Sequence, residues 1–167
     1  FEDAEQTIGS VKAFYGNFLV VVRALCYMTM LGGDGMRDAA QTAVLNANYL
    51  KKLLEPHCDA ATPGLCMHEF VLTMEHLKKE TGVSAMDVAK SMLDYGMHPP
   101  TMYFPLIVPE ALMFEPTETE SKETLDWAAQ TIAEILERAH TDPESLHAAP
   151  TRTPIRRPDE VRAARTP

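Results

Sequence analysis

Two histidines and two cysteines lie close together in the sequence and have side chains that can bind a metal ion. His57 is adjacent to Cys58, and Cys66 is two positions before His68. Structural zinc sites usually take such ligands in pairs with two to five residues between them. The spacing here does not match that pattern, so we expect loop and core residues and no metal site. Cys66 and His68 could share one side of a strand, but nothing else indicates a nucleophilic cysteine.

A histidine followed by two prolines is the better candidate for a functional group. Pro99 and Pro100 come directly after His98, and proline keeps the residue before it out of the helical region. Rigid loops that present a polar side chain are a common way to build a binding site. The sequence therefore favours a possible site near His98, with a purely structural histidine as the alternative.

Two further groups of polar residues have both a functional and a structural interpretation. Glu115, Glu118 and Glu120 place three carboxylates within six positions, which suits acid–base chemistry. Acidic residues also favour the start of a helix, and we prefer that interpretation. Asn17 interrupts an apolar helical pattern. Its amide must either bond to a neighbouring backbone or face a site, and the sequence leaves both open.

The spacing of apolar residues predicts the elements that position these groups. A helix over residues 7–31, buried on most sides, ends at the glycines of 32–35, and a second helix covers 36–54. Residues 67–73 predict a strand, and a helix with a Ser84/Asp87 capping box runs to Gly96. Strands at 101–104 and 111–114, at least one at a sheet edge, precede a helix from about Ser121. The order α-α-β-α-β-β-α, followed by a tail, predicts an α+β fold.

Composition sets the limits on the class of protein. The chain has 167 residues, 46% of them apolar and 23% charged, which is typical of one globular domain. Its net charge of −9 disfavours nucleic acid as a partner, and residues 151–167 form a tail that carries five arginines against two acids. A sparse, odd set of three cysteines fits a reducing compartment. The apolar stretch 18–31 is too short to cross a membrane.

Six segments in a fixed order together resemble a known family. They are residues 10–18 (SVKAFYGNF), 44–50 (VLNANYL), 66–70 (CMHEF), 87–90 (DVAK), 94–102 (DYGMHPPTM) and 115–120 (EPTETE). In this order they are similar to the C-terminal part of glycine dehydrogenase (decarboxylating), the P-protein of the glycine cleavage system. The ending over residues 153–165 resembles subunit 2 of the two-subunit bacterial form.

The resemblance implies a fold, an activity and a set of partners. The fold would be the small C-terminal domain of a pyridoxal-phosphate-dependent, aminotransferase-like (fold type I) enzyme. Residues 1–55 would form a helical hairpin leading from a large domain, 56–149 the small α+β domain and 150–167 a Pro/Arg-rich tail. The family decarboxylates glycine with pyridoxal phosphate and passes the aminomethyl group to the lipoyl arm of the H-protein. Subunit 1 would be a further partner, in a bacterial cytoplasm.

The resemblance also limits what this chain is expected to do alone. The family's Schiff-base lysine lies in a His-Lys-Thr motif that this sequence lacks, and the first residue is Phe1. We therefore expect a C-terminal fragment that is inactive alone, with no catalytic residue of its own. Residues expected to line the active-site mouth or the lipoyl path are His98 and Thr101 first, then Asn17, His68, Glu69 and Glu118. The rival hypothesis is a non-catalytic acidic domain that binds a partner through a methionine-rich surface.

Overall fold

A computed structural model describes Gln6, Gly9 and residues 16–166 of the chain. Its elements follow one another as α1 (Phe18–Leu54), β1 (Asp59–Ala60), β2 (Phe70–Thr73), α2 (Glu75–Thr81), α3 (Ala85–Asp94), β3 (Thr101–Met102), β4 (Ala111–Phe114), α4 (Lys122–Thr141), α5 (Pro143–Ala148) and α6 (Glu160–Arg165). The chain forms two compact units, Phe1–Ala39 and Ala40–Pro167. The α+β class predicted from the sequence is confirmed.

Helix α1 begins later than predicted and continues through the predicted turn. The part of the predicted helix from 7 to 15, apart from Gly9, lies outside the described residues, and Asn17 immediately precedes the helix. Asn17 Oδ1 accepts a hydrogen bond from Val20 N at 3.3 Å. The predicted break appears at Gly32, whose φ of 65° and ψ of −175° are not helical. Glycine adopts this conformation without a Cβ clash, and the helix resumes directly after it.

The first part of α1 is exposed, which contradicts the prediction that it is buried on most sides. Apart from Val22, the large apolar side chains from Phe18 to Met36 are more than a third exposed, and Met30 reaches 85%. The sequence analysis considered only residues 18–31, which are too short to cross a membrane. The whole of α1 is long and apolar enough to do so. This is weak support for a span, because soluble core helices and signal sequences meet the same criterion.

The four strands form one antiparallel sheet in the order β1-β2-β4-β3. Strand β2 pairs with β4 in a register that sets Phe70 opposite Phe114, and the two rings stack with centroids 5.4 Å apart. Strand β3 is an edge, which agrees with the prediction that at least one of the strands at 101–104 and 111–114 lies at a sheet edge. Strand β1 was missed by the sequence analysis because two residues carry no periodic signal.

The core lies between the sheet and the helices of the second unit. Residues of α1, β2, α3, β4, α4 and α5 contribute to one buried apolar cluster, with Leu54, Leu72, Val88 and Ile135 at 0% exposure. The predicted capping box of α3 is present, since Ser84 and Asp87 each bond to the other's backbone N–H. Helix α4 starts where the sequence predicted, and Ser121 caps it. The short helices α2, α5 and α6 were not predicted.

The first half of the basic tail, residues 151–157, is bonded to the domain that precedes it. Arg157 donates to the buried carboxylate of Asp87 at 2.7 Å. Asp94 accepts the backbone N–H groups of Thr151 and Arg152 at 2.7–2.8 Å. The first half of the tail is therefore held against the domain, because two carboxylates of α3 bind it.

Candidate functional site

A groove of about 530 Å³ opens at one end of the sheet of the second unit. Its residues come from α1, the segment after α3, strands β3 and β4, the segment before α4, and α4 itself. The most buried of them are apolar: Leu50, Phe114, Leu125 and Ile132. The groove therefore has an apolar base, and two connecting segments add polar groups to its lining.

The first polar side of the groove carries His98 and Thr101, the two leading candidates from the sequence. Gly96 ends α3 with a φ of 78°, and Met97 N donates back to Met92 O at 3.1 Å. Two prolines then lead directly into β3, which begins at Thr101. The backbone on both sides of His98 is thus held by the helix end and by the prolines.

The second polar part of the groove comes from residues 115–120, which we call the wall segment. Glu115, Thr117 and Glu120 of this segment line the groove. The side-chain amide of Asn46 on α1 donates to the backbone oxygens of Thr117 at 2.8 Å and Glu120 at 3.1 Å. A buried helix residue therefore holds the wall segment in place.

The charges that line the groove are acidic. The ionisable residues among the described lining residues are His98, Glu115 and Glu120, with no lysine or arginine. Negative groups repel carboxylate and phosphate groups and tolerate neutral or cationic ones. Trp127, the single tryptophan of the sequence, also lines the groove, and its side chain is 42% exposed.

The remaining candidates lie at different distances from the groove. His68 Nε2 is 3.9 Å from Glu69 Oε2 and also 3.9 Å from Glu115 Oε1, which brings this pair next to the wall segment. Glu118 belongs to the wall segment but is not a lining residue. Asn17 lies in the first unit and is described there by its helix-capping bond.

The four potential metal ligands separate in the structure. His57 and Cys58 line a second pocket of about 250 Å³ together with His76 and His140, whereas His68 approaches Glu115. Among residues 16–166 no three histidine, cysteine or acidic side chains are arranged to hold a metal ion. Burial, reinforced by the charge of Asp59, raises the pKa of Cys58 to about 12, so this thiol stays protonated.

Comparison with known proteins agrees with the sequence motifs. A family model described as "Glycine dehydrogenase, C-terminal domain" matches residues 39–153. The chain belongs to this family. Similar relatives are the proteins named probable glycine dehydrogenase (decarboxylating) subunit 2 of Treponema denticola, 59% identical over 96% of this chain, and of Kosmotoga olearia, 56% identical over 99%. The family predicted from the six segments is therefore confirmed.

The chain is much shorter than these relatives. It spans about one third of their length, 33% for Treponema denticola and 34% for Kosmotoga olearia. A crystal structure of glycine decarboxylase (P-protein) of the glycine cleavage system, in inhibitor-bound form, has a TM-score of 0.64 at 23% identity. That similarity covers 75% of this chain and 28% of the other, and it shows a shared fold.

The lysines of this chain do not form a pyridoxal phosphate site among the described residues. No lysine lines either pocket. Lys51 is 2% exposed, and its ammonium donates to the backbone oxygens of Thr62 and Gly64. Lys78, Lys79 and Lys122 are paired with carboxylates. The described residues therefore do not fit the cofactor.

Sequence reasoning missed three buried or half-buried polar residues of α1 that hold other segments of the domain. Asn46, Asn48 and Lys51 each donate to backbone oxygens of a segment distant in sequence. In the sequence Asn46 is adjacent to Ala47 and Lys51 to Leu50, two apolar residues of the predicted helix 36–54, which was the available signal. Periodicity alone places a polar residue at the edge of a buried face and does not reveal its partner.

Proposed function

We propose that this chain is the small C-terminal domain of an enzyme that decarboxylates glycine and passes the aminomethyl group to the lipoyl arm of an H-protein. The observation that carries the proposal is the family match over residues 39–153, supported by relatives named as subunit 2 of this enzyme. Glycine, a subunit 1 and the H-protein would be its partners, in the cytoplasm of a bacterium.

Pyridoxal phosphate would be bound by the part of the enzyme that is not in this chain. When bound, the cofactor supplies an electron sink for the loss of carbon dioxide from glycine. This chain offers an acidic groove without a lysine, so we infer that it is inactive alone. Residues 1–55 would connect it to the cofactor-binding part, residues 56–149 would form the small domain, and residues 150–167 its tail.

The groove is the part of this domain that we assign to the lipoyl arm. A lipoyl group joined to a lysine through an amide is uncharged, long and largely apolar. The groove has an apolar base and no basic residue among its described lining residues, which suits such a chain. His98 and Thr101 would lie at its mouth, with His68 and Glu69 near Glu115; Asn17 and Glu118 remain secondary candidates.

A chimaera tests the assignment of activity. The corresponding C-terminal third of the Treponema denticola subunit 2 is replaced by this chain, and carbon dioxide release from glycine is measured with subunit 1 and lipoylated H-protein. We expect an active enzyme, and the isolated 167-residue chain is the matched inactive control. A chimaera that folds and binds subunit 1 but releases no carbon dioxide would contradict the proposal.

A reduction experiment tests whether the isolated chain can hold the cofactor. The chain is mixed with pyridoxal phosphate, treated with borohydride and digested for mass spectrometry. We expect weak labelling spread over exposed lysines, because no lysine lines the groove. A stoichiometric adduct on one lysine would show that the chain carries its own cofactor site.

A non-catalytic interaction domain is the second candidate function. The observation in its favour is the exposed apolar part of α1, where Met28 is 50% exposed and Met30 85%. Flexible methionines suit adaptable binding surfaces. An inactive chimaera together with a stable, monomeric isolated chain would favour this candidate.

A further inference from the structure

We propose that Asn46 is a positioning residue for the groove, because its amide sets the position of the wall segment. The inference rests on the proposed function, since the groove is the site assigned there to the lipoyl arm. Asn46 does not line the groove itself. It acts through Thr117 and Glu120, which do.

Both N–H groups of the Asn46 side-chain amide serve as donors. Asn46 Nδ2 lies 2.8 Å from Thr117 O and 3.1 Å from Glu120 O, and the residue is 8% exposed. A side-chain amide carries two N–H groups, so one asparagine can satisfy two backbone oxygens at once. An aspartate of the same size has no donor when ionised, and it would set a negative charge against both oxygens.

Two further short-range bonds lie within the wall segment. Glu120 N donates to Thr117 O at 3.3 Å, and the hydroxyls of Thr117 and Thr119 are 2.7 Å apart. These bonds shape the turn but do not fix it relative to the groove base. Asn46 ties the turn to α1, four residues before Leu50, which lies in that base.

Asn48 supplies a matched control on the same helix. Its amide donates to Cys66 O at 2.8 Å, and its oxygen accepts from Cys66 N at 3.0 Å. Like Asn46, it fastens a distant segment to α1 through backbone bonds. Cys66 does not line the groove, so a change at Asn48 disturbs a comparable contact away from the site.

The experiment compares Asn46→Asp and Asn48→Asp in the 167-residue chain. Lipoamide is the probe, and quenching of Trp127 fluorescence reports its binding, because this single tryptophan lines the groove. We expect Asn46→Asp to weaken lipoamide binding about tenfold, the effect of losing two modest hydrogen bonds at the site. Asn48→Asp is expected to change the affinity by less than about twofold, although both lower the thermal midpoint.

Two results would overturn the inference. Equal losses of affinity in the two variants would mean that Asn46 acts through general stability. An unchanged affinity in Asn46→Asp would mean that the wall segment holds its position without it. If Asn46→Asp does not fold, Asn46→Leu removes the same donors without adding a charge and is compared with Asn48→Leu.

Failure of the proposed function would look different. In that case lipoamide does not quench Trp127 in the unaltered chain. Acrylamide quenching of Trp127 then decides the positioning role. We expect greater quenching in Asn46→Asp than in Asn48→Asp, and equal quenching would overturn the inference.

Discussion

The three cysteines differ in their surroundings and therefore in their reactivity. Cys26 lies in the exposed first part of α1 and is itself exposed. Cys58 is mostly enclosed, and its Sγ lies 3.6 Å from Leu54 O. Burial also raises the pKa of Cys66, against the opposing charge of Lys51. Since the thiolate is the reactive form, burial decides the order of reactivity.

We predict that iodoacetamide labels Cys26 first, Cys66 more slowly and Cys58 last. At about pH 8 the thiolate fraction of Cys58 is negligible, because its pKa is about 12. Mass spectrometry of digested samples taken over time measures the three rates. Denatured protein is the control, in which the rates should converge. Labelling of Cys58 as fast as Cys26 in the folded chain would contradict the prediction.

Asp87 is a buried carboxylate that joins three segments of the domain. It accepts bonds from Ser84, pairs with Arg157 of the tail and lies 3.4 Å from His147 Nδ1. Burial raises its pKa, but the Ser84 hydrogen bonds and the Arg157 charge outweigh burial and hold the pKa below the ordinary value. The charged form is therefore favoured by folding.

We predict an acid-dependent loss of stability that depends on Asp87. A carboxyl with a lowered folded pKa contributes its full stability above the unfolded pKa of about 3.9, and loses it as pH falls through the folded value. The free energy of unfolding in urea, measured as a function of pH, should therefore fall more steeply below about pH 4 in the unaltered chain than in Asp87→Asn. Identical slopes would mean that Asp87 is not the group responsible.

At the scale of elements, helix caps were readable from the sequence because they depend on neighbouring residues. Ser84 and Asp87 form the capping box of α3, and Ser121 accepts from Thr124 N at the start of α4. The strand predicted at 67–73 is shorter, and begins at Phe70. Strand ends depend on pairing with β4, which lies forty residues later and cannot be read from local spacing.

We predict that Ser84→Ala destabilises the domain more than Ser121→Ala. Loss of a serine cap costs about 1 kcal/mol, and Ser84 also donates to the buried carboxylate of Asp87. The free energy of unfolding in urea measures both changes. Ser121→Ala is the matched control, because it removes a cap at an exposed helix start. Equal losses would show that the box adds nothing beyond a simple cap.

At the scale of the whole molecule, the main feature is the exposed apolar surface of the first part of α1. Phe18, Leu19 and Met30 are each at least 74% exposed. Contiguous exposed apolar surface promotes association, and a domain of a longer enzyme carries such surface where it meets the remaining part.

We predict that the isolated chain self-associates through this part of α1. Light scattering of the chain should show a mass above 18.6 kDa, which Leu19→Glu with Met30→Glu lowers toward the monomer. Leu65→Glu is the control, since Leu65 is 91% exposed outside α1. A monomeric unaltered chain, or an equal effect of the control, would contradict this expectation.

The sequence by itself determined the class of fold, the family and the approximate positions of the three longest helices, α1, α3 and α4. Apolar periodicity, caps and the six ordered segments are local properties of the chain, so they can be read without knowing which elements pack against each other. It also singled out His98 and Thr101, because a proline-stiffened segment is a local feature too.

The tertiary structure decided which groups share a groove. The bonds from Asn46 to the wall segment, and from Arg157 to Asp87, join residues about seventy positions apart. Such pairs depend on how the sheet and helices pack, which no local pattern encodes.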